Sequence, residues 1–399
     1  MSTDQELGRV RRAPTIIHHA DTSLVFYLSG PQKIRWLRKR KSHIVAHVAY
    51  PFALKELRRP NNTMICSPFR SAPTFGYNSF AQRICSLTTD AVITWVDGAD
   101  PEHAAKRARY SGEAKAPKTN PGASESTRFA SLGEIEFCIK LIRKNAPWIN
   151  TIFLITDAQC PVWLDSAERK RLNVKLVDHR VLFRDYEDVL PTFNSITIET
   201  LLHRIPGLSE RFLYFNDDFF LIRPTSILDF FENDIPKVYG RIVFRYKKLR
   251  KFAAKLMRHS PLPSGLNGVR LGKLGKLPIS VLWSVMLGHS PHAIKTADFG
   301  KIMDSKRRID RNIRFRFRNW RQFSPVCLYA TLGLNSKSVK VIEPDGLYLI
   351  PEGDRGVAEV LEEARSASSI NTYLCIQSLD LFDSQSQSAI LEFLEEISA

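Results

Sequence analysis

Four short apolar runs, each ending in an acid, constrain this chain more than any other feature. Ala91-Val92-Ile93-Thr94-Trp95-Val96 runs into Asp97, and Thr151-Ile152-Phe153-Leu154-Ile155 runs into Thr156-Asp157. Val174-Lys175-Leu176-Val177 runs into Asp178-His179, and Arg211-Phe212-Leu213-Tyr214-Phe215 runs into Asn216-Asp217-Asp218. Helix-length stretches separate them. Short β-branched runs alternating with helical periodicity specify parallel strands joined by crossover helices. The spacing of Leu132, Ile135, Ile139 and Ile142 predicts a mostly buried helix over residues 132–144. A second helix is expected over 194–204, with Asn194 or Ser195 as its cap. The fold class is therefore α/β, with a Rossmann-like parallel-sheet core. In an open parallel sheet, ligands bind outside the carboxyl ends of the strands. Four strands ending in acids thus predict one polar, metal-capable crevice. Taken alone, the Asp217-Asp218 pair is equally well an acidic turn.

The chain has 399 residues and a formal charge of +17, with an ordinary apolar content of 44%. A basic surface favours anionic partners such as nucleotides, phosphate polymers or anionic lipid. Nucleic acid is not expected, because neither a recognition helix nor a single-strand-binding motif is present. The scattered cysteines (Cys66, Cys85, Cys138, Cys160, Cys327, Cys375) form no C-x-x-C pair and read as reduced thiols. Residues 277–287 form the longest strongly apolar run, too short and too interrupted by serine to span a membrane. Charged residues precede any apolar stretch at the amino terminus, unlike a signal peptide. The expected location is cytoplasmic, with peripheral contact at the inner membrane surface left open.

Three regions are expected. Residues 1–88 form a basic accessory region, 89–350 the catalytic α/β domain with an accessory insert near 236–288, and 351–399 a segment completing that unit. Residues 33–41 read KIRWLRKRK, a basic run that suits either an anionic membrane surface or a solvated helix. Residues 115–126 are rich in Ala, Pro, Gly, Ser and Lys and read as a flexible loop above the sheet. Residues 241–258 carry eight Lys or Arg and no acid. At 314–318, Arg314, Arg316 and Arg318 alternate with Phe315 and Phe317. In an extended strand that alternation sets the guanidinium groups on one face, where their forks suit phosphate oxygens. Residues 385–397 suggest an amphipathic helix.

Several of these segments together resemble the Stealth family. ITWVDGADP at 93–101 is similar to its first block. Arg128, APWI at 146–149, IFLITDAQ at 152–159, VDH at 177–179, LPTFNS at 190–195, LHRIPGLSE at 202–210 and FLYFNDDFFL at 212–221 resemble its second block, in the right order. GHSPHAIK at 288–295 and RFRN at 316–319 resemble a shorter third block. The fourth block departs: the family pattern is roughly Cys-Leu-Asn-Asp, whereas this chain has Cys375-Ile376-Gln377-Ser378-Leu379-Asp380.

The resemblance implies a core of the nucleotide-sugar transferase type. It implies transfer of a hexose 1-phosphate from a nucleotide-sugar donor to a hydroxyl of an anionic polysaccharide or glycan acceptor, giving phosphodiester links in capsular or exopolysaccharide. A divalent metal, Mg2+ or Mn2+, is implied as cofactor. Charge rises at the leaving nucleotide, and carboxylate-held metal and arginine neutralise it. The acceptor hydroxyl needs a base. Asp97, Asp217 and Asp218 are the metal candidates. Asp97, Asp217 and His289 are the catalytic candidates. Arg128, Asn194, Asn216, Arg316 and Arg318 are the candidates for phosphate or sugar binding, although Asn194 and Asn216 also suit a helix cap and a turn. A metal-dependent glycosyltransferase would use the same parts, but it would release a nucleoside diphosphate instead of a monophosphate.

Overall fold

The computed structural model describes residues 15–19, 22–26, 88–244, 283–366 and 371–399. The basic run at 33–41, most of the run at 241–258, Cys66 and Cys85 lie outside the described residues. The chain divides into two compact units, Met1–Pro73 and Thr74–Ala399. In the first, β1 (Thr15–His19) pairs antiparallel with β2 (Thr22–Phe26).

The second unit is built on a sheet whose strands are β3 (Thr89–Thr94), β4 (Ile152–Thr156), β5 (Val174–Asp178), β6 (Arg211–Asn216) and β11 (His292–Lys295). Their order is β11-β6-β3-β4-β5, with β11 antiparallel to β6 and the others parallel. The α/β class is as the sequence predicts. Side chains alternate across a strand, and here both faces are covered. Ala91, Ile93, Leu213 and Phe215 enter one apolar cluster, while Val92, Phe212 and Tyr214 enter another. That is why these strands read as continuous apolar runs.

The first cluster is closed by helix Glu134–Asn145, which buries Ile135, Cys138, Ile139 and Ile142. The helix starts later than its periodicity suggests. Gly133 takes φ 97° at its N-cap, and Leu132 is left 42% exposed. The helix expected over 194–204 is broken into an α-turn, Ser195–Glu199, and a 3-10 turn, Leu202–Arg204. Thr200 Oγ1 donates back to Ile196 O at 2.8 Å and accepts from Asn312 Nδ2 at 2.7 Å. Such back-bonding competes with the helix ladder. Asn194 is the cap, accepting from Ile196 N.

Residues 314–318 do not form the expected strand. They turn after helix Lys306–Ile313. Their backbone oxygens are taken up by scattered partners: Phe315 O by Asn194 Nδ2 and Thr197 Oγ1, Arg316 O by Phe193 N and Arg318 O by Asn120 N. No ladder is left to form.

The carboxyl-terminal residues join the same body. Strand β14 (Tyr373–Ile376) lies between β13 (Gly346–Leu349) and β7 (Phe219–Leu221), parallel to the first and antiparallel to the second. Helix Ser384–Ser398 then buries Ile390, Phe393 and Leu394 in the first cluster. Among the described residues no helix is long and apolar enough to cross a membrane.

Candidate active site

The chain runs β3, β4, β5 outward and then returns to place β6 on the other side of β3. The carboxyl ends of β3 and β6 therefore flank a topological switch point, where open α/β sheets bind ligands. A cleft of about 530 Å³ opens there. Thr94, Trp95 and Val96 line it from β3 and its extension, and Asn216, Asp217 and Asp218 from β6.

The other strand-end acids do not join them, which corrects the expectation of a single crevice lined by all four. Burial works against the Asp157 carboxylate, but His103 and Lys106, each at 3.1 Å, hold it well below the ordinary range. Asp178 caps the turn His179–Leu182 by accepting from Arg180 N. Asp97 follows the cleft wall without lining the cleft, and its Oδ1 accepts from Ala99 N at 2.8 Å.

Among the described residues no cation bonds Asp217 or Asp218 directly. Desolvation at the cleft floor raises Asp217 well above the ordinary carboxylate value, and repulsion from Asp218 and Glu134 adds to it. Desolvation raises Asp218 too, with Glu134 adding, while the Cys375 thiol and Arg318 pull it back. Both side chains keep part of their surface open, so water still reaches a floor that dense protein surrounds. Asp218 Oδ1 is buried and has no hydrogen-bond partner.

Arginines supply the opposite charge. Arg128 and Arg318 both line the cleft. Burial lowers the Arg128 pKa, and the nearby Arg318 charge lowers it further. Arg128 Nε donates to Gly122 O at 2.6 Å, and Arg318 donates to Ser195 Oγ at 2.9 Å. Two like charges held close in one wall favour an anion between them. Arg318 also acts on Glu199, a carboxyl pushed up to about 7 by burial and pulled back by Arg318, Tyr214 and Ser195.

Arg316 points elsewhere. Its guanidinium lies 4.3 Å from the Tyr110 ring centroid, pairs with Glu113 at 3.1 Å, and stays outside the cleft. Asn194 lines the cleft, but its amide is engaged by Phe315 O, Gln322 Oε1 and Ile196 N. Asn216 Oδ1 accepts from Tyr214 Oη at 3.1 Å. His289 lines the cleft from its exposed rim, and surrounding protein lowers its pKa by desolvation.

Asp380, Glu134 and Gln377, none of them a candidate from sequence, also line the cleft. Glu134 is raised by burial, and Asp380 adds repulsion. Asp380 arrives through the divergent fourth block because Ser378 turns the chain with a left-handed φ of 57°. The displaced acid in that block was the available signal.

Among the described residues, no group of three or more His, Cys, Asp or Glu is placed to hold a metal unaided. The raised aspartate pair and the orphaned Asp218 Oδ1 fit a Mg2+-type ion nevertheless. Such an ion uses one or two carboxylates and completes its shell with water and substrate phosphate.

Family models match two segments: Stealth protein CR1, conserved region 1, over residues 90–114, and Stealth protein CR2, conserved region 2, over residues 128–238. The receptor polysaccharide phosphotransferase WefC of Streptococcus oralis is 37% identical over 189 residues, covering 44% of this chain and 54% of WefC. The chain thus spans about half the length of that relative. The capsular polysaccharide phosphotransferase fcs1 of Haemophilus influenzae is 32% identical over 264 residues, 66% of this chain and 69% of the relative. Among solved structures, the galactosyltransferase LgtC shares 9% identity over 77% of this chain and 95% of its own, with a TM-score of 0.37. A likeness at that level carries no argument.

Proposed function

The chain belongs to the Stealth family, and from that premise we propose that it transfers a hexose 1-phosphate from a nucleotide-sugar to an acceptor sugar hydroxyl. The links formed would be phosphodiesters of a capsular or exopolysaccharide. The observation that carries the reading is the cleft at the β3–β6 switch point, with an aspartate pair on its floor and two arginines in its wall.

Arg128 and Arg318 bind the donor diphosphate and balance the charge that grows on the leaving nucleotide. Asp217 and Asp218 hold the divalent ion, Mg2+ or Mn2+, and Asp97 is a secondary candidate. When bound, that ion neutralises phosphoryl oxygens as a Lewis acid. His289, lowered by desolvation, is neutral near pH 7 and takes the proton from the acceptor hydroxyl. The hydroxyl oxygen forms a bond to the sugar-bearing phosphorus. The bond from that phosphorus to the bridging oxygen breaks, and a nucleoside monophosphate leaves. Asn216 orients donor or sugar, Asn194 holds the cleft wall through its bonded amide, and Arg316 supports the wall from outside the cleft.

An acceptor built of phosphodiesters is anionic, and the +17 charge of the chain suits it. The test is to supply a panel of nucleotide-sugars with Mg2+ and a short acceptor and identify the released nucleotide. A monophosphate supports the reading. A diphosphate places the chain with ordinary glycosyltransferases.

A further inference from the structure

A general base works only if something fixes its ring. Among the described residues no hydrogen bond reaches the His289 imidazole. Its described ring contact is with Tyr348: the rings stack with centroids 4.4 Å apart and planes 14° from parallel. Tyr348 is itself fixed at both ends. Its backbone sits in β13, paired with Cys375 of β14. Its hydroxyl donates to Gln377 Oε1, and Gln377 N donates to Leu349 O at 3.0 Å.

The same pair of strands supports the acid. Cys375 Sγ lies 3.7 Å from Asp218 Oδ2, and Ile376 N donates to Asp218 O at 3.1 Å. Tyr348 and Cys375 are opposite each other in the ladder, so their side chains leave the same face. One rigid element therefore sets His289 and Asp218 relative to each other. Tyr348 is 40% exposed, so filling the core does not explain its ring.

We propose that Tyr348 is a positioning residue for His289, its ring face setting the plane of the imidazole so that a ring nitrogen meets the acceptor hydroxyl. The inference rests on His289 acting as the base in the reading above. Tyr348→Phe keeps the stack and loses the brace to Gln377. Tyr348→Leu keeps bulk and loses the stack.

The first readout needs no activity. In full chain carrying 13C-labelled histidine, the His289 signal is assigned by its absence in His289→Ala and followed through a pH titration. The wild type and Tyr348→Phe should show an upfield ring-current shift and a midpoint below the ordinary value of about 6.5. Tyr348→Leu should lose the ring-current shift. In the transfer assay Tyr348→Leu should lose about tenfold or more in kcat at unchanged donor KM. Tyr348→Phe should stay within about threefold of wild type. An unchanged signal or an unchanged kcat in Tyr348→Leu overturns the proposal. So does a Phe variant as impaired as the Leu variant. A near-normal rate in His289→Ala overturns the reading of His289 as base instead, and the nuclear resonance arm still decides whether Tyr348 orients the ring.

Discussion

Thr127 Oγ1 donates to Asp380 Oδ1 at 2.7 Å across 253 residues of chain. The bond ties the segment carrying Arg128 to the divergent carboxyl-terminal block, and both residues line the cleft. The loop ahead of Thr127 is also anchored by a small apolar cluster of Ala123, Phe129, Phe193 and Phe317 and by a bridge between Thr119 and Asn319. Thr127→Val should cost about 1 kcal/mol of local stability. We expect faster proteolysis within residues 115–126 and a raised donor KM, with kcat little changed. Equal proteolysis of variant and wild type would show that the bond does not hold the loop.

The aspartate pair predicts a stability that falls with pH. Asp217 and Asp218 are raised above the ordinary carboxylate value of about 3.9, by desolvation first. A folded pKa above the unfolded one means that the folded state keeps its proton longer. That stability is complete below the unfolded value and is lost as pH rises through the folded values. Without divalent ion, the Tm should therefore fall from about pH 5 to about pH 8. Mg2+ should restore part of the loss. Asp217→Asn should flatten the slope, remove most of the Mg2+ shift and lower turnover by more than ~100-fold. Thermal melts with and without Mg2+ check all of this.

Asp97→Asn is expected to lose turnover while keeping its Tm. Asn Oδ1 can still accept from Ala99 N, as Asp97 Oδ1 does at 2.8 Å. A drop in Tm with normal turnover would assign Asp97 to the turn alone.

Two arginines two residues apart should behave differently. Arg318 lines the cleft and bonds Ser195, whereas Arg316 stacks on Tyr110 beside Glu113. Arg318→Lys should raise donor KM about tenfold, because an ammonium cannot reproduce a guanidinium fork. Arg316→Lys should leave donor KM unchanged and lower Tm. Steady-state kinetics over donor concentration distinguish them.

That contrast also marks what the sequence could reveal. The parallel strands were legible because both faces of β3, β4 and β6 are buried, which leaves apolar runs such as Phe212-Leu213-Tyr214-Phe215. Asp217, Asp218, Arg128, Arg318 and His289 were named from motifs and do share one cleft. The strand-end acids looked alike in sequence, but tertiary partners separate them. Lys106 pairs with Asp157 and His103 hydrogen-bonds it, and Asp178 caps a turn. The Arg-Phe alternation at 314–318 carried a strand pattern that the chain does not use, since its carbonyls bond to Asn120, Phe193 and Asn194. Asp380 and Gln377 were hidden because they reach the cleft, and Tyr348 reaches His289, only when β13 and β14 join β7, the strand that follows Asp218.

In the proposed reaction the phosphate next to the sugar travels with the sugar. A nucleotide-sugar labelled with 32P at that phosphorus, incubated with full chain, Mg2+ and acceptor, tests it in one step. The label should appear in the glycan product, and the released nucleoside monophosphate should be unlabelled. Label remaining on a released nucleoside diphosphate, with an unlabelled glycan, would contradict it.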